Sequence, residues 1–506
     1  MVGCLKRRKK KRNEGRFSLR KIGRIGLFSR KYLVSLVLLI LPFQLIHAQQ
    51  SNTFYFMHSV PQTSDMNPAF SVPCNYIGLP VISSFHLDVG NTGFSYNQIF
   101  PVSGDGRMID FNYLEKGLHN LDLLNARLQF DLFSLGMWYD DYFLTFSITE
   151  KADLFTSYPK NLFLVPWEGN TAYVGETAKI RRFGGDFSHY REYSLSASTW
   201  LNSDLRLGVR AGLLFGRTNL STRGEILDIY TRQDSHHLDI SGSYTVNSTI
   251  PLQLTKDAGG NITDVQLKED IPVRKMLLNG RNPGLNFDLG GIYTGLEDLI
   301  LYGGLNDIGV IYWTSELNNL EAEQQFRFNG FTREDLRNED YAELMLDSLE
   351  NSYDTTITHE PYLTLLSMES YIGATYQIND RFRARLLQRN LFYKWRIYPS
   401  LTLSLNTELG DFLSVSASYS YNRYSFSNFG AGFSIQNNNV QFYMVTDNLR
   451  AINPLAVRNV NLRFGFNVFF GCGGQAGRAP AGTGISGAGC YWIRKQQENE
   501  KILPKK

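Results

Sequence analysis

Hydrolytic chemistry on a hydroxyl nucleophile needs a histidine base within reach of a Ser or Thr, and a structural zinc site needs four Cys or His at short, patterned spacing. The histidines His58, His86, His119, His189 and His359 and the pair His236-His237 are scattered through the chain and sit in no motif of either kind. The adjacent pair has the chemistry to bind a metal, but side by side in a polar stretch it also fits a solvated loop. Gly184-Gly185 and Gly473-Gly474 lack the Lys-Ser/Thr that completes a phosphate-binding loop. No catalytic residue, cofactor or metal is therefore expected. Of the four cysteines, Cys4 falls in a basic leader, which leaves Cys74, Cys472 and Cys490. In an oxidising compartment Cys472 and Cys490 could close a short loop worth up to about 3 kcal/mol; free thiols are the other reading.

The informative chemistry is instead a two-residue rhythm along the chain. In Leu413-Ser414-Val415-Ser416-Ala417-Ser418-Tyr419 the odd positions are apolar and the even ones Ser, a period that an extended strand can use and a helix cannot. It recurs in Leu401/Leu403/Leu405 against Thr402/Ser404/Asn406, and in Val460/Leu462/Phe464/Phe466/Val468 against Asn461/Arg463/Gly465/Asn467. Such strands have one oily and one wet face. If the oily face meets lipid, Leu462, Phe464 and Phe466 face the bilayer while Asn461, Arg463, Ser414 and Ser416 face a lumen.

The net charge of +3 conceals two parts. Residues 1–31 hold thirteen of the 51 Lys and Arg with one acid, Glu14, and the remainder carries 38 bases against 47 acids. The basic stretch precedes an apolar run, Tyr32 to Ile46, of signal-peptide length with Ala48 as a cleavage point. That reading makes residues 1–48 a leader and gives the mature chain an acidic balance that argues against nucleic acid. No later stretch is apolar for long enough to span a bilayer as a helix. A membrane role then requires a closed barrel, in which every backbone N–H and C=O is paired.

Connector lengths agree with a barrel, whose turns are short at one rim and long at the other. Strands near 399–408, 412–421, 429–436, 440–446 and 459–470 are joined by short turns at Gly410-Asp411 and Asn437-Asn438-Asn439 and by long ones at 422–428 and 447–458. Upstream, 139–141, 202–204, 296–298 and 379–380 are short, while 150–189, 249–284 and 313–370 are long. The expectation is an all-β fold, an antiparallel transmembrane barrel of roughly 14–16 strands. The uncertain pair is the polar 222–248 hairpin, read either as two wall strands or as an external extension. The wall is expected over 80–471, with both of its ends in the periplasm and 472–506 as a flexible periplasmic tail.

Two further segments differ in kind. Pro61, Pro68, Pro73 and Pro80 break up any regular element before the barrel, so 49–79 reads as an irregular plug or periplasmic segment. Phe54, Tyr55, Phe56 and Phe70 favour a packed plug over a disordered lead-in. Residues 314–360 form an acidic external insertion in which Thr332 with Asp335 resembles a helix start, so short external helices are expected there.

These residues carry a resemblance. Phe56-Met57 with Val60-Pro61-Gln62, then Asn67-Pro68-Ala69-Phe70 and Gly78-Leu79-Pro80, resemble the start of an uncharacterised Bacteroidota outer-membrane β-barrel family, a domain of unknown function. Asn306-Asp307-Ile308-Gly309 to Trp313 resembles its mid-barrel strand. Thr446-Asp447-Asn448-Leu449 and Arg458 to Gly465 resemble its closing hairpin. More distantly, the Asn-Pro-Ala element is similar to fatty-acid-transporter-like barrels and to a shuttle barrel of type IX secretion. The resemblance implies an outer-membrane location, contact with lipid and with barrel-assembly machinery, and a role for Asn67, Pro68, Ala69 and Phe70 in the plug or at a ligand. It brings no reaction with it. The expected function is a transporter-like channel for a small hydrophobic or amphipathic molecule, with an apolar pocket between plug and wall. The alternatives are a non-catalytic scaffold that binds secretion-system or periplasmic proteins through a filled lumen and, more remotely, an outer-membrane enzyme.

Overall fold

The structure is a computed structural model. It describes residues 52–80, 82–103, 106–250, 252–256, 262–267, 280–328, 353–379, 381–409, 412–422, 425–437 and 439–472. The expected leader, Cys490, the rest of the tail and the segment from Thr332 to Asp347 lie outside the described residues.

Fourteen wall strands form a closed antiparallel barrel. β1 comes in two pieces, Asn75–Gly78 and Phe85–Asn91; β2 is Asp122–Tyr139, β3 Tyr142–Tyr158, β4 Gly184–Trp200, β5 Leu205–Thr231, β6 Pro283–Leu296 and β7 Leu299–Trp313. β8 is Tyr362–Leu365 with Glu369–Gln377, β9 Phe382–Tyr393, β10 Arg396–Leu409, β11 Leu413–Asn422, β12 Ser425–Asn437, β13 Val440–Thr446 and β14 Asn459–Phe470. Closure comes from β14 pairing back onto β1, with Asn75 opposite Phe470 and Phe85 opposite Phe464. The wall thus begins at Asn75, ahead of the expected boundary at 80. The Pro-bearing stretch 79–84 interrupts β1 without ending it.

The two-residue rhythm sorts the wall into two surfaces. Leu213, Phe287, Leu289, Ile372, Leu403 and Leu405 are exposed on the outside, while Arg210, Asn286, Asp288, Thr402, Ser404 and Asn406 are buried within. A belt of exposed leucine and phenylalanine on this scale is not a surface that a water-soluble monomer presents.

Strand count follows from the hairpin that the sequence left ambiguous. β5 is 27 residues long, and its far half leaves the wall. There it pairs with Leu238–Ser248, which pairs with Asn319–Phe328, which pairs with Tyr353–Thr358; Thr177–Arg181 lies along its other side. The 222–248 hairpin is therefore an extension beyond the rim. The flanks of the 314–360 insertion are strands of this sheet, and short helices occur elsewhere, at Tyr96–Ile99, Phe111–Gly117 and Asn161–Glu168. The loop expected at 422–428 is also a correction, since β11 runs to Asn422, which pairs with Ser425 of β12. Asn, Ser and Tyr disguise strands as loops once a hairpin rises past the apolar belt.

At β1 the wall folds inward. Gly78 opposes Asn467 and Phe85 opposes Phe464, so only 465–466 of β14 are left opposite the chain between the two pieces of β1. The surplus turns Ser83 and Ser84 into the lumen, where both are fully buried and Ser83 Oγ lies 2.9 Å from Ser134 Oγ.

Candidate functional site

Residues 52–74 occupy the lumen. They hold a short helix, Asn52–Tyr55, and a 3-10 turn, Pro61–Asp65, and Phe54, Tyr55, Phe56, Val60 and Asn67 are buried completely. Prolines keep this stretch from joining a ladder, so its backbone groups find partners on the wall. At one end, Asp447 accepts hydrogen bonds from the Asn52 and Thr53 amides at 2.8 and 2.9 Å. Midway, Gln62 Nε2 donates to Asn467 Oδ1 at 2.6 Å, and Arg385 Nη1 donates to the Phe56 carbonyl.

The expected plug element is the tightest fit. Asn67 Nδ2 donates to the Gly303 carbonyl on β7 at 3.1 Å and to the Tyr55 hydroxyl at 3.1 Å, while Asn67 Oδ1 accepts from the Ala69 amide at 3.0 Å. Pro68 and Ala69 pass so close to β5 that a Cβ on Gly208 would lie 2.2 Å from the Pro68 carbonyl carbon. Phe70 packs edge-on to Tyr55 at 5.1 Å and to Tyr302 at 5.6 Å. These four residues hold the segment to β5, β6 and β7.

At the other end, the structure joins Cys74 to Cys472, with Cα atoms 4.6 Å apart. This corrects the expected Cys472–Cys490 pair. Closure sets Asn75 against Phe470, which brings the flanking cysteines together across 398 residues; a reading of local spacing cannot see that.

Between plug and wall the lumen holds two kinds of surface. One is apolar: Phe54, Tyr55, Phe56, Met57 and Phe70 pack on Ile292, Ile300, Tyr302, Leu387, Tyr443 and Val445. The other is ionic. Glu369 of β8 is held by Arg127 of β2 at 2.7 Å and by Arg389 of β9. Arg127 also reaches Asp153 at 2.6 Å. Lys151 bridges Glu192 at 2.7 Å and Asp307 at 3.1 Å. Arg210 binds Asp65 of the plug at 2.8 Å and the Ser64 carbonyl at 2.8 Å. Charges buried this deeply persist only when paired. A polar cavity of about 40 Å³ lies within the network, lined among others by His86, Arg127, Lys151, Asp307, Arg463 and the plug residues Asp65 and Met66.

The other residues singled out in the sequence fall as follows. Asn461 and Arg463 are buried, and both meet the His86 ring, at 3.2 and 3.1 Å. Ser416 is buried and accepts from Asn406 Nδ2 at 2.6 Å, while Ser414 is half-buried, 3.0 Å from Ser59 of the plug. Leu462, Phe464 and Phe466 are half-buried, at the alternate positions of β14. His189 binds Glu150 at 2.8 Å, and His119 binds Asp122 at 3.1 Å. The ionic network itself was missed. Its signal was present, since Arg383, Arg385 and Arg389 share one strand face, but although Glu369 lies only 20 residues from Arg389, its second cation, Arg127, is 242 residues away.

Residues 68–447 match the profile of DUF5723, described as a family of unknown function. The chain belongs to that family. No curated protein matches it. Among solved structures, this DUF5723 member is similar to the P. putida toluene transporter TodX, at 9% identity over 81% of this chain and 94% of TodX, with a TM-score of 0.38. A Pseudomonas aeruginosa FadL homologue aligns at 10% identity over 84% of this chain and 99% of its own, with a TM-score of 0.36. The translocator domain of the autotransporter NalP from Neisseria meningitidis aligns at 9% identity over 83% and 100%, with a TM-score of 0.28. Likeness this slight transfers no function to the DUF5723 barrel.

Proposed function

We propose that this protein is an outer-membrane barrel acting as a gated conduit for a small hydrophobic or amphipathic molecule, seen here with its N-terminal segment shutting the lumen. The exposed apolar belt supports the membrane setting, because only a bilayer removes that surface from water. On this reading the short-turn rim, where β1 begins and β14 ends, is periplasmic, as short turns are in such barrels. The observation that carries the conduit is the apolar strip of lumen wall formed by Ile292, Ile300, Tyr302, Leu387, Tyr443 and Val445. In a lumen otherwise lined by charged and polar residues, the plug's own aromatic residues occupy the surface that a greasy ligand would use. Transport then requires the plug to yield, since that strip is already filled.

A second reading also has support. The lumen is packed, its cavity is polar, and β5 carries a five-stranded sheet beyond the rim, all of which suit a barrel that binds protein partners instead of passing cargo. Purification in mild detergent followed by mass spectrometry of the copurified lipids and proteins separates the two. A bound apolar molecule without a stoichiometric protein supports the conduit; a stoichiometric protein without such a molecule overturns it in favour of the scaffold.

A further inference from the structure

The external end of the lumen is crossed by part of the wall itself. β9 and β10 pair within the barrel with each other and with β8 and β11, yet the tip where they join reaches β2, β3, β4 and β5 on the far side of the lumen. Leu391, Tyr393 and Tyr398 of the tip pack with Leu123 of β2 and Phe155 of β3 in one buried cluster. The rings of Tyr393 and Phe155 stack at 4.8 Å, and the Tyr393 hydroxyl donates to Asp186 of β4. Lys394 completes the span. Its Nζ lies 3.3 Å from Asp186 Oδ2 and 3.2 Å from Glu225 Oε1 of β5, and donates to the Thr222 carbonyl at 3.0 Å. Two residues along β10 from Tyr398, Ser400 accepts from Asn52 Nδ2 at 3.2 Å, so the crossing begins where the outer end of the plug stops.

Two features mark this crossing as releasable. The connection from β9 to β10 is only two residues, Lys394 and Trp395, at φ of 44° and 62°. Tight hairpin turns of that kind are ordinarily built from Asn and Gly, and a bulky residue with positive φ is strained, a state that persists only where neighbours enforce it. Trp395 is 98% exposed, so the strain serves no packing in the closed arrangement. The ion pairs that hold Lys394 are themselves partly exposed, with side-chain exposures of 33% for Lys394, 21% for Asp186 and 12% for Glu225. Pairs near water are weak and screened by salt.

We propose that the β9–β10 tip is a lid across the external mouth, latched by Lys394 to Asp186 and Glu225, and that it forms a second barrier in series with the plug. This deepens the conduit reading and rests on it. The plug fills the lumen and is tied to the seam at the opposite rim by Cys74–Cys472, whereas the lid closes the mouth by side chains alone. A molecule arriving from outside meets the lid first. Release of either barrier leaves the other in place.

The test uses the mature full-length protein in lipid vesicles, carrying Cys490→Ser and spin labels at Trp395→Cys on the tip and at Arg182→Cys, an exposed position whose amide donates to the Glu225 carbonyl on the far side of the mouth. With the latch intact, pulsed electron resonance is expected to give one narrow distance. Lys394→Glu sets like charges against Asp186 and Glu225 and should add a longer population, and Lys394→Glu with Glu225→Lys should restore the narrow one. Should the reversal fail to fold, Lys394→Gln removes the charge without opposing it and is read in the same way. Conductance in planar bilayers then reads the barrier. With the plug loosened by Gly208→Val, Lys394→Glu should raise the ion current further, while with the native plug it should change little. Distances unmoved by Lys394→Glu and Lys394→Gln, or a longer population with no further current in the Gly208→Val background, would overturn the lid. Ion current needs no cargo, so a stoichiometric protein copurifying without an apolar molecule removes the conduit reading and leaves both readouts able to decide on the lid.

Discussion

Replacing Phe464 by arginine puts the facing of the wall to a quantitative test. Phe464 is the sixth of twelve residues in β14, which sets it near mid-bilayer if the belt is the lipid-facing surface. It stands opposite Met444 of β13 and Phe85 of β1, its ring centroid 5.1 Å from that of Phe85. An arginine at the midplane costs about 2–4 kcal/mol, which lowers the folding constant roughly 30- to 700-fold. Phe464→Leu should stay within about 1 kcal/mol, because lipid tails accept leucine as readily as phenylalanine. At an inward-facing position of the same strand the order reverses. Asn461 Nδ2 lies 3.3 Å from Asp88 Oδ1 and 3.2 Å from His86 Nε2, so Asn461→Leu strips partners from buried groups and should cost about 1–3 kcal/mol. Reversible urea unfolding in phospholipid vesicles, followed by tryptophan fluorescence, measures all three. Arginine at 464 tolerated within about 0.5 kcal/mol, or leucine at 461 raising stability, would refute the assignment of faces.

Three further outcomes follow from the plug. Gly208→Val places a side chain against the Pro68 carbonyl and should lift the plug from β5, read as a raised conductance in planar bilayers over that of the native barrel. Asp447→Asn weakens the charge-assisted grip on the Asn52 and Thr53 amides, at a cost of about 1–3 kcal/mol, and hydrogen exchange at those two amides should quicken while exchange at Ala69 holds. His58 lies in the plug, outside the wall strands; burial, then the charges of Arg385 and Arg383, push its pKa well below the usual histidine value. An unfolded histidine takes up its proton near pH 6.5 while the folded one resists, so stability is full above that pH and falls as pH drops below it. Urea midpoints should decline from pH 7 to pH 5, and His58→Phe should flatten the decline.

Strands were legible wherever two chemistries alternated. β13 and β14 occupy the spans read from sequence, because Val460 to Val468 keeps its rhythm and Asn437-Asn438-Asn439 marks the turn between β12 and β13. Beyond the belt the pressure to alternate lapses, which is why Asn422 to Asn428 read as a loop and the 222–248 hairpin as two possible things. The plug was legible as aromatic residues among prolines. Its docking was not, because Asn67 finds its partner on Gly303 and Asn52 on Asp447 only after the barrel has closed around them. The same holds for the contact of Glu369 with Arg127, which comes from β2 across the lumen, and for Cys74, whose neighbour is set by the seam between the first and last strands.

The most direct measurement of the closed, lipid-facing barrel is spin-label accessibility along Val460 to Val468 in vesicles, comparing oxygen, which enters lipid, with a water-soluble nickel complex. Oxygen accessibility should peak at 460, 462, 464, 466 and 468 and fall at the positions between. A profile without that two-residue period, or one peaking at 461, 463 and 467, would contradict it.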